Sequence, residues 1–134
     1  MALYGHSIAR VDPSLVRVVA LVSTRRDLFV VQADRTVADE QRDIDRGVSH
    51  LTDPKDSYHV IVPGVRPYAL AVDLAAYTGD PHAPVNWRDH QAFADLAVDV
   101  KAAAGELGVT PFSWGGDWPR PFDFDHYQRA PAPV

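Results

Sequence analysis

A chain of 134 residues with 46% hydrophobic content fits one compact domain and leaves no room for two ordinary ones. Its formal net charge of −5 excludes a general attraction to nucleic acid, which relies on clustered Lys and Arg. The lack of cysteine excludes disulfides and leaves imidazole and carboxylate to hold any metal, a donor mixture that suits zinc.

The opening residues, Met1 to His6, lack the basic stretch and apolar core of a signal segment. No apolar run approaches the roughly 20 residues that span a bilayer. The expectation is a soluble chain made in a cytoplasm and retained there unless another factor releases it. Asp12-Pro13 ahead of Leu15, Val16, Val18, Val19 and Val22 predicts a capped helix over 13–23. Leu28 to Val31 is a short β-branched and aromatic run that predicts a buried strand. Thr36 to Arg46 is charged, with few apolar positions, and predicts a mostly exposed helix ended by Gly47.

Val48 to Pro67 carries three prolines and no sustained period, so it reads as a long loop, and loops of that length in small domains are usually functional or disordered. Order is expected near His59. Tyr68 to Ala75 reads as a strand carrying Asp73. A Gly/Pro-rich loop follows. Trp87 to Leu107 then aligns Phe93, Leu96, Ala97, Val100, Ala104 and Leu107 on one helical face, closed by Gly108. Thr110 to Trp114 and Phe124 to Gln128 read as two short strands around a Gly-rich turn, and 129–134 as a frayed tail. The sum is a mixed α+β fold over 1–134, a single domain.

Four pieces carry chemistry: Ser57-Tyr58-His59, Asp73 in its strand, Trp114-Gly115-Gly116-Asp117-Trp118, and Asp123-Phe124-Asp125-His126. Two histidines and a carboxylate can bind one zinc and leave a coordination position for water, the arrangement of a catalytic site. Asp73 lies in an otherwise apolar strand, where a carboxylate needs a partner or a metal to offset burial. Asp123 stands three residues before His126, so both reach one metal only if the segment bends, because i and i+3 on a flat strand face opposite ways. Asp125 is the alternative base if the bend differs. His6, His82 and His90 read as ordinary histidines.

These pieces resemble the VanY-like peptidases of the lysostaphin, D-Ala-D-Ala peptidase and hedgehog superfamily. They are most similar to the branch of phage endolysins that are L-alanyl-D-glutamate peptidases. That pattern runs Ser-x-His-x-x-Gly-x-Ala-x-Asp, then a Trp-Gly-Gly-Asp-Trp turn, then Asp-x-x-His. Upstream, Ser7 to Val11 with Leu15 to Val19 resembles the family's opening helix, and Phe29-Val30-Val31 with Arg35-Thr36 and Gln41 resembles its next strand and segment. The similarity covers residues 7–128. It implies a short antiparallel sheet carrying a zinc site flanked by helices.

The resemblance further implies that His59, Asp73 and His126 bind zinc, that Asp123 is the general base, and that Arg35 faces the oxyanion. His59 and Asp73 stand further apart than in the pattern, with Ala69 where a glycine would fall, so 60–67 reads as an enlarged loop. His50, in Ser49-His50-Leu51-Thr52, is the rival ligand, and Arg66 in the enlarged loop is the rival cation. Gln41 is read as fixing helix or substrate, the Gly115-Gly116 pair as letting substrate approach, and Asp117 as orienting a ligand imidazole.

The implied activity is zinc-dependent hydrolysis of the L-Ala to D-Glu amide in the peptidoglycan stem peptide. The implied setting is the periplasm, reached with a holin as membrane-permeabilising partner, by a protein expected to be a monomer. A D-Ala-D-Ala carboxypeptidase or dipeptidase of the same family, or a non-catalytic wall-binding or virion relative, are the competing readings.

Overall fold

The computed structural model describes residues 1–119 and 123–131. Strand β1 (Leu3–Gly5) is followed by helix α1 (Pro13–Ser23), β2 (Leu28–Gln32), α2 (Val37–Asp45), β3 (Ala71–Ala76), α3 (His90–Glu106), β4 (Ser113–Trp114) and β5 (His126–Gln128). The strands form one sheet in the order β1-β2-β3-β5-β4. All pairs are antiparallel except β1 with β2, which run parallel. The expected antiparallel sheet is therefore mixed. β1 went unseen because three exposed residues, Leu3-Tyr4-Gly5, carry no alternation.

Helix α1 starts where Asp12 accepts a hydrogen bond from the Ser14 amide and Pro13 takes the first helical position. Its Leu15, Val18, Val19 and Val22 are buried. On α3, Phe93, Leu96, Ala97, Val100, Ala103 and Ala104 are buried, and α3 packs on both α1 and β3. Fully burying each such Val or Leu stabilises the fold by about 1.5–3 kcal/mol. The helix opens at His90 rather than Trp87 because the Asp89 side chain caps the Ala92 amide. Residues 7–11 are not helical; they make a turn in which the Val11 amide donates to the Ile8 carbonyl, and Val11 then bridges Ala69.

Alternation along the strands sorts the sheet into two faces. Leu28, Val30, Val72, Leu74 and Tyr127 join the buried cluster with α1 and α3. Asp73, His126 and Gln128, each offset by one from that set, therefore face the opposite way. Over that second face lie α2 and the connection from 48 to 70, which holds a one-turn helix at Pro54–Asp56 and isolated bridges at Val60 and Val62.

Helix α2 begins with a capping box. Thr36 Oγ1 accepts from the Asp39 amide, and Asp39 accepts from the Thr36 amide. Backbone and side-chain hydrogen bonds from Thr36 hold the Asp39 carboxyl below its ordinary pKa. The part of the tail that is described is tied down: Arg129 N donates to Leu70 O, and Ser113 Oγ donates to Ala130 O. Residues 132–134 of the expected frayed tail lie outside the described residues.

Candidate metal centre and cleft

Asp73 and His126 are direct cross-strand neighbours in the β3–β5 ladder, so register alone sets their side chains side by side. His59 arrives from the loop. Its backbone is fastened to Arg35, two residues before α2: Arg35 N donates to His59 O at 2.8 Å, and Ile61 N donates to Arg35 O at 2.9 Å. Ser57 Oγ accepts from the His59 amide. The three side chains then meet. His59 Nε2 lies 3.1 Å from Asp73 Oδ1, His126 Nδ1 lies 3.1 Å from the same oxygen, and the two nitrogens are 3.2 Å apart.

The outer nitrogen of each ring is engaged elsewhere. His59 Nδ1 donates to Ala33 O at 2.7 Å, and His126 Nε2 donates to Gln128 Oε1 at 2.9 Å. Gln128 is held in that orientation because its amide nitrogen donates to Pro131 O. With those protons placed outward, each neutral imidazole presents a lone pair to the same point as the Asp73 carboxylate. Three acceptors converging in a buried site call for a cation. Two imidazoles and one carboxylate that converge in this way could hold a metal ion, and the donor types suit zinc.

When protons rather than an ion fill the meeting point, the imidazoles carry charge and donate to Asp73. Burial raises the Asp73 carboxyl, but the charge of His59 and hydrogen bonds from both imidazoles outweigh it and hold the group below its ordinary value. Burial lowers His126, but the hydrogen bond and charge of Asp73 outweigh it and raise the ring above its usual value. Positive charge is favoured where the three groups meet.

The segment before β5 turns, with His126 N donating to Asp123 O, and this brings Asp123 Oδ2 to 3.8 Å from His126 Nδ1. Gly115 accepts the Asp123 amide through its carbonyl. Asp123 is half-exposed and lines a cleft of about 800 Å³ together with His59, Asp73, His126, Arg35 and Trp118. Asp125 does not line it. Burial, then the charge of Asp73 and a hydrogen bond with Asp123, push the Asp125 carboxyl up to about 9.

Arg35 reaches the cleft with its guanidinium 2.9 Å from Glu40, and Ser49 Oγ donates to the other Glu40 oxygen at 2.8 Å. His50 lines the same cleft but stands outside the three-donor cluster. Arg66 turns to backbone carbonyls and does not line the cleft. Gln41 bonds Asp45 on the exposed side of α2.

Two sequence readings change. Asp117 pairs with Lys101 and bonds neither imidazole; the outward partners of the His59 and His126 rings are Ala33 and Gln128. Gly115 and Gly116 serve protein packing, since a Cβ on them would lie 2.1 Å from Asp123 O and 2.2 Å from the Trp114 ring. Glu40 and Gln128 were missed. The signal for Gln128 was its place two residues after His126 on one strand; among the carboxylates of α2 nothing local marked Glu40 as the buried one.

Known proteins match this chain along most of its length. The family model of the phage L-alanyl-D-glutamate peptidases matches residues 5–130. The L-alanyl-D-glutamate peptidase of Escherichia phage T5 is 32% identical over 126 residues, spanning 92% of this chain and 84% of that protein. The crystal structure of the Serratia marcescens L-Ala D-Glu endopeptidase ChiX superposes with a TM-score of 0.69 at 29% identity, over 91% of this chain and 87% of that one. With the family model matching residues 5–130 and a relative 32% identical over 92% of the chain, the chain belongs to the phage L-alanyl-D-glutamate peptidase family.

Proposed function

We propose that this protein is a zinc-dependent endolysin that hydrolyses the amide between L-Ala and D-Glu in the peptidoglycan stem peptide. The observation that carries the reading is the convergence of three potential metal-donor atoms, His59 Nε2, His126 Nδ1 and Asp73 Oδ1, beside the cleft-lining carboxylate of Asp123. Zinc held by these residues supplies a Lewis acid that lowers the pKa of water and polarises an amide carbonyl.

The chain's own groups divide the remaining work. Asp123, exposed to the cleft, takes the proton of the attacking water and passes it to the departing D-Glu amine. Arg35 offers a guanidinium to the negative charge that develops on the former carbonyl oxygen, and Glu40 fixes its direction. Ala33 and Gln128 hold the ligand rings in the required tautomers. In this reading the site of action is the periplasmic wall, with a holin opening the way.

The test is mass analysis of fragments released from purified peptidoglycan by the zinc-loaded protein, with Asp123→Ala beside it. Fragments ending in L-Ala, with new free D-Glu amines, absent with the variant, support the endopeptidase and its base. Release of terminal D-Ala alone would make it a carboxypeptidase, and zinc binding without release would make it a wall-binding relative.

A further inference from the structure

The segment between His59 and Asp73 contains a small hairpin. Val62 N donates to Arg66 O at 2.9 Å and Arg66 N donates to Val62 O at 2.7 Å, with Pro63-Gly64-Val65 at the tip. The Arg66 side chain folds back towards His59. Its Nε donates to Val60 O at 3.0 Å, and one terminal nitrogen donates to both Lys55 O and Ser57 O at 2.8 Å. Val60 follows His59 and Ser57 precedes it by two, so the guanidinium ties carbonyls on both sides of this residue. A rigid planar fork can satisfy several carbonyls at once, which the ammonium of lysine on its flexible stem does less well.

A long connection between two metal ligands costs ordering entropy each time the site forms. His59 is the only one of the three candidate ligands that no strand holds. We propose that Arg66 is a positioning residue for His59: the enlarged loop carries its own clamp, which sets the ligand's backbone and so preorganises the metal site. This rests on the zinc reading above.

The experiment measures zinc affinity by competition with a chromophoric chelator, and thermal unfolding of the zinc-free protein, for wild type, Arg66→Ala, Arg66→Lys and Val65→Ala. Val65 is 80% exposed at the hairpin tip and is the control. Expected is zinc binding weakened at least tenfold in Arg66→Ala and less in Arg66→Lys, no change in Val65→Ala, and cooperative zinc-free unfolding in all four. Wild-type affinity in folded Arg66→Ala overturns the clamp. Loss of cooperative unfolding in both Arg66 variants overturns it too, by making the residue a requirement of the fold. Failure of the wild type to bind zinc would instead sink the metal reading on which the proposal rests.

Discussion

Arg35 and Glu40 form an ion pair at 2.9 Å in which the carboxylate side chain is 2% exposed and the guanidinium 25%. The pair spans the first turn of α2, and Ser49 completes it from the far side. Glu40, in the first turn of the helix, thus fixes which way the cation points.

Removing one partner leaves a buried charge alone. Arg35→Ala is expected to destabilise by about 2–4 kcal/mol in urea titrations, the upper part of the usual range for a broken buried pair being discounted for the guanidinium's exposure. Glu40→Gln keeps the Ser49 bond and should cost less stability, yet lower turnover on peptidoglycan roughly tenfold or more by releasing Arg35. Undiminished turnover in Glu40→Gln would leave the pair a structural feature alone.

Gln128 offers its side-chain carbonyl oxygen to His126 Nε2 at 2.9 Å, the contact on which the proposed tautomer rests. Gln128→Leu preserves bulk but removes the acceptor, so zinc affinity should fall about 10- to 100-fold. Chelator competition reads this directly, and an unchanged affinity would contradict the tautomer assignment.

Gly115 lies so close to Asp123 that an added Cβ would sit 2.1 Å from its carbonyl oxygen. Gly115→Ala should displace Asp123, the proposed base, while His59, Asp73 and His126 stay in place. Turnover is expected to fall on the order of 100-fold, because a displacement near 1 Å is enough for that, with zinc affinity little changed. Equal losses of turnover and zinc would show that the whole site had moved.

Gly105 gives the opposite expectation. It lies within α3, where an added Cβ meets nothing within 4 Å. Gly105→Ala should stabilise by about 0.5–1 kcal/mol, by lowering the unfolded chain's entropy, and leave turnover intact. A lowered melting temperature would argue against the helix as described.

The sequence by itself determined the elements whose signals are local. Asp12-Pro13 and Thr36 started two helices, the spacing from Phe93 to Ala104 placed the third on the core, and the family pattern named His59, Asp73 and His126 as candidates for one site. Short β1 lacked periodicity, and the family resemblance joined the turn at 7–11 to the opening helix. Only the tertiary structure decided pairings between distant residues. Strand register put Asp73 opposite His126, and backbone bonds from Arg35 brought His59 across to them. Side-chain partners then assigned Glu40 to Arg35, Asp117 to Lys101, and Arg66 to the loop carbonyls. Capping and periodicity act within a few residues, whereas a site of three donors is closed by contacts whose partners no short stretch of sequence contains.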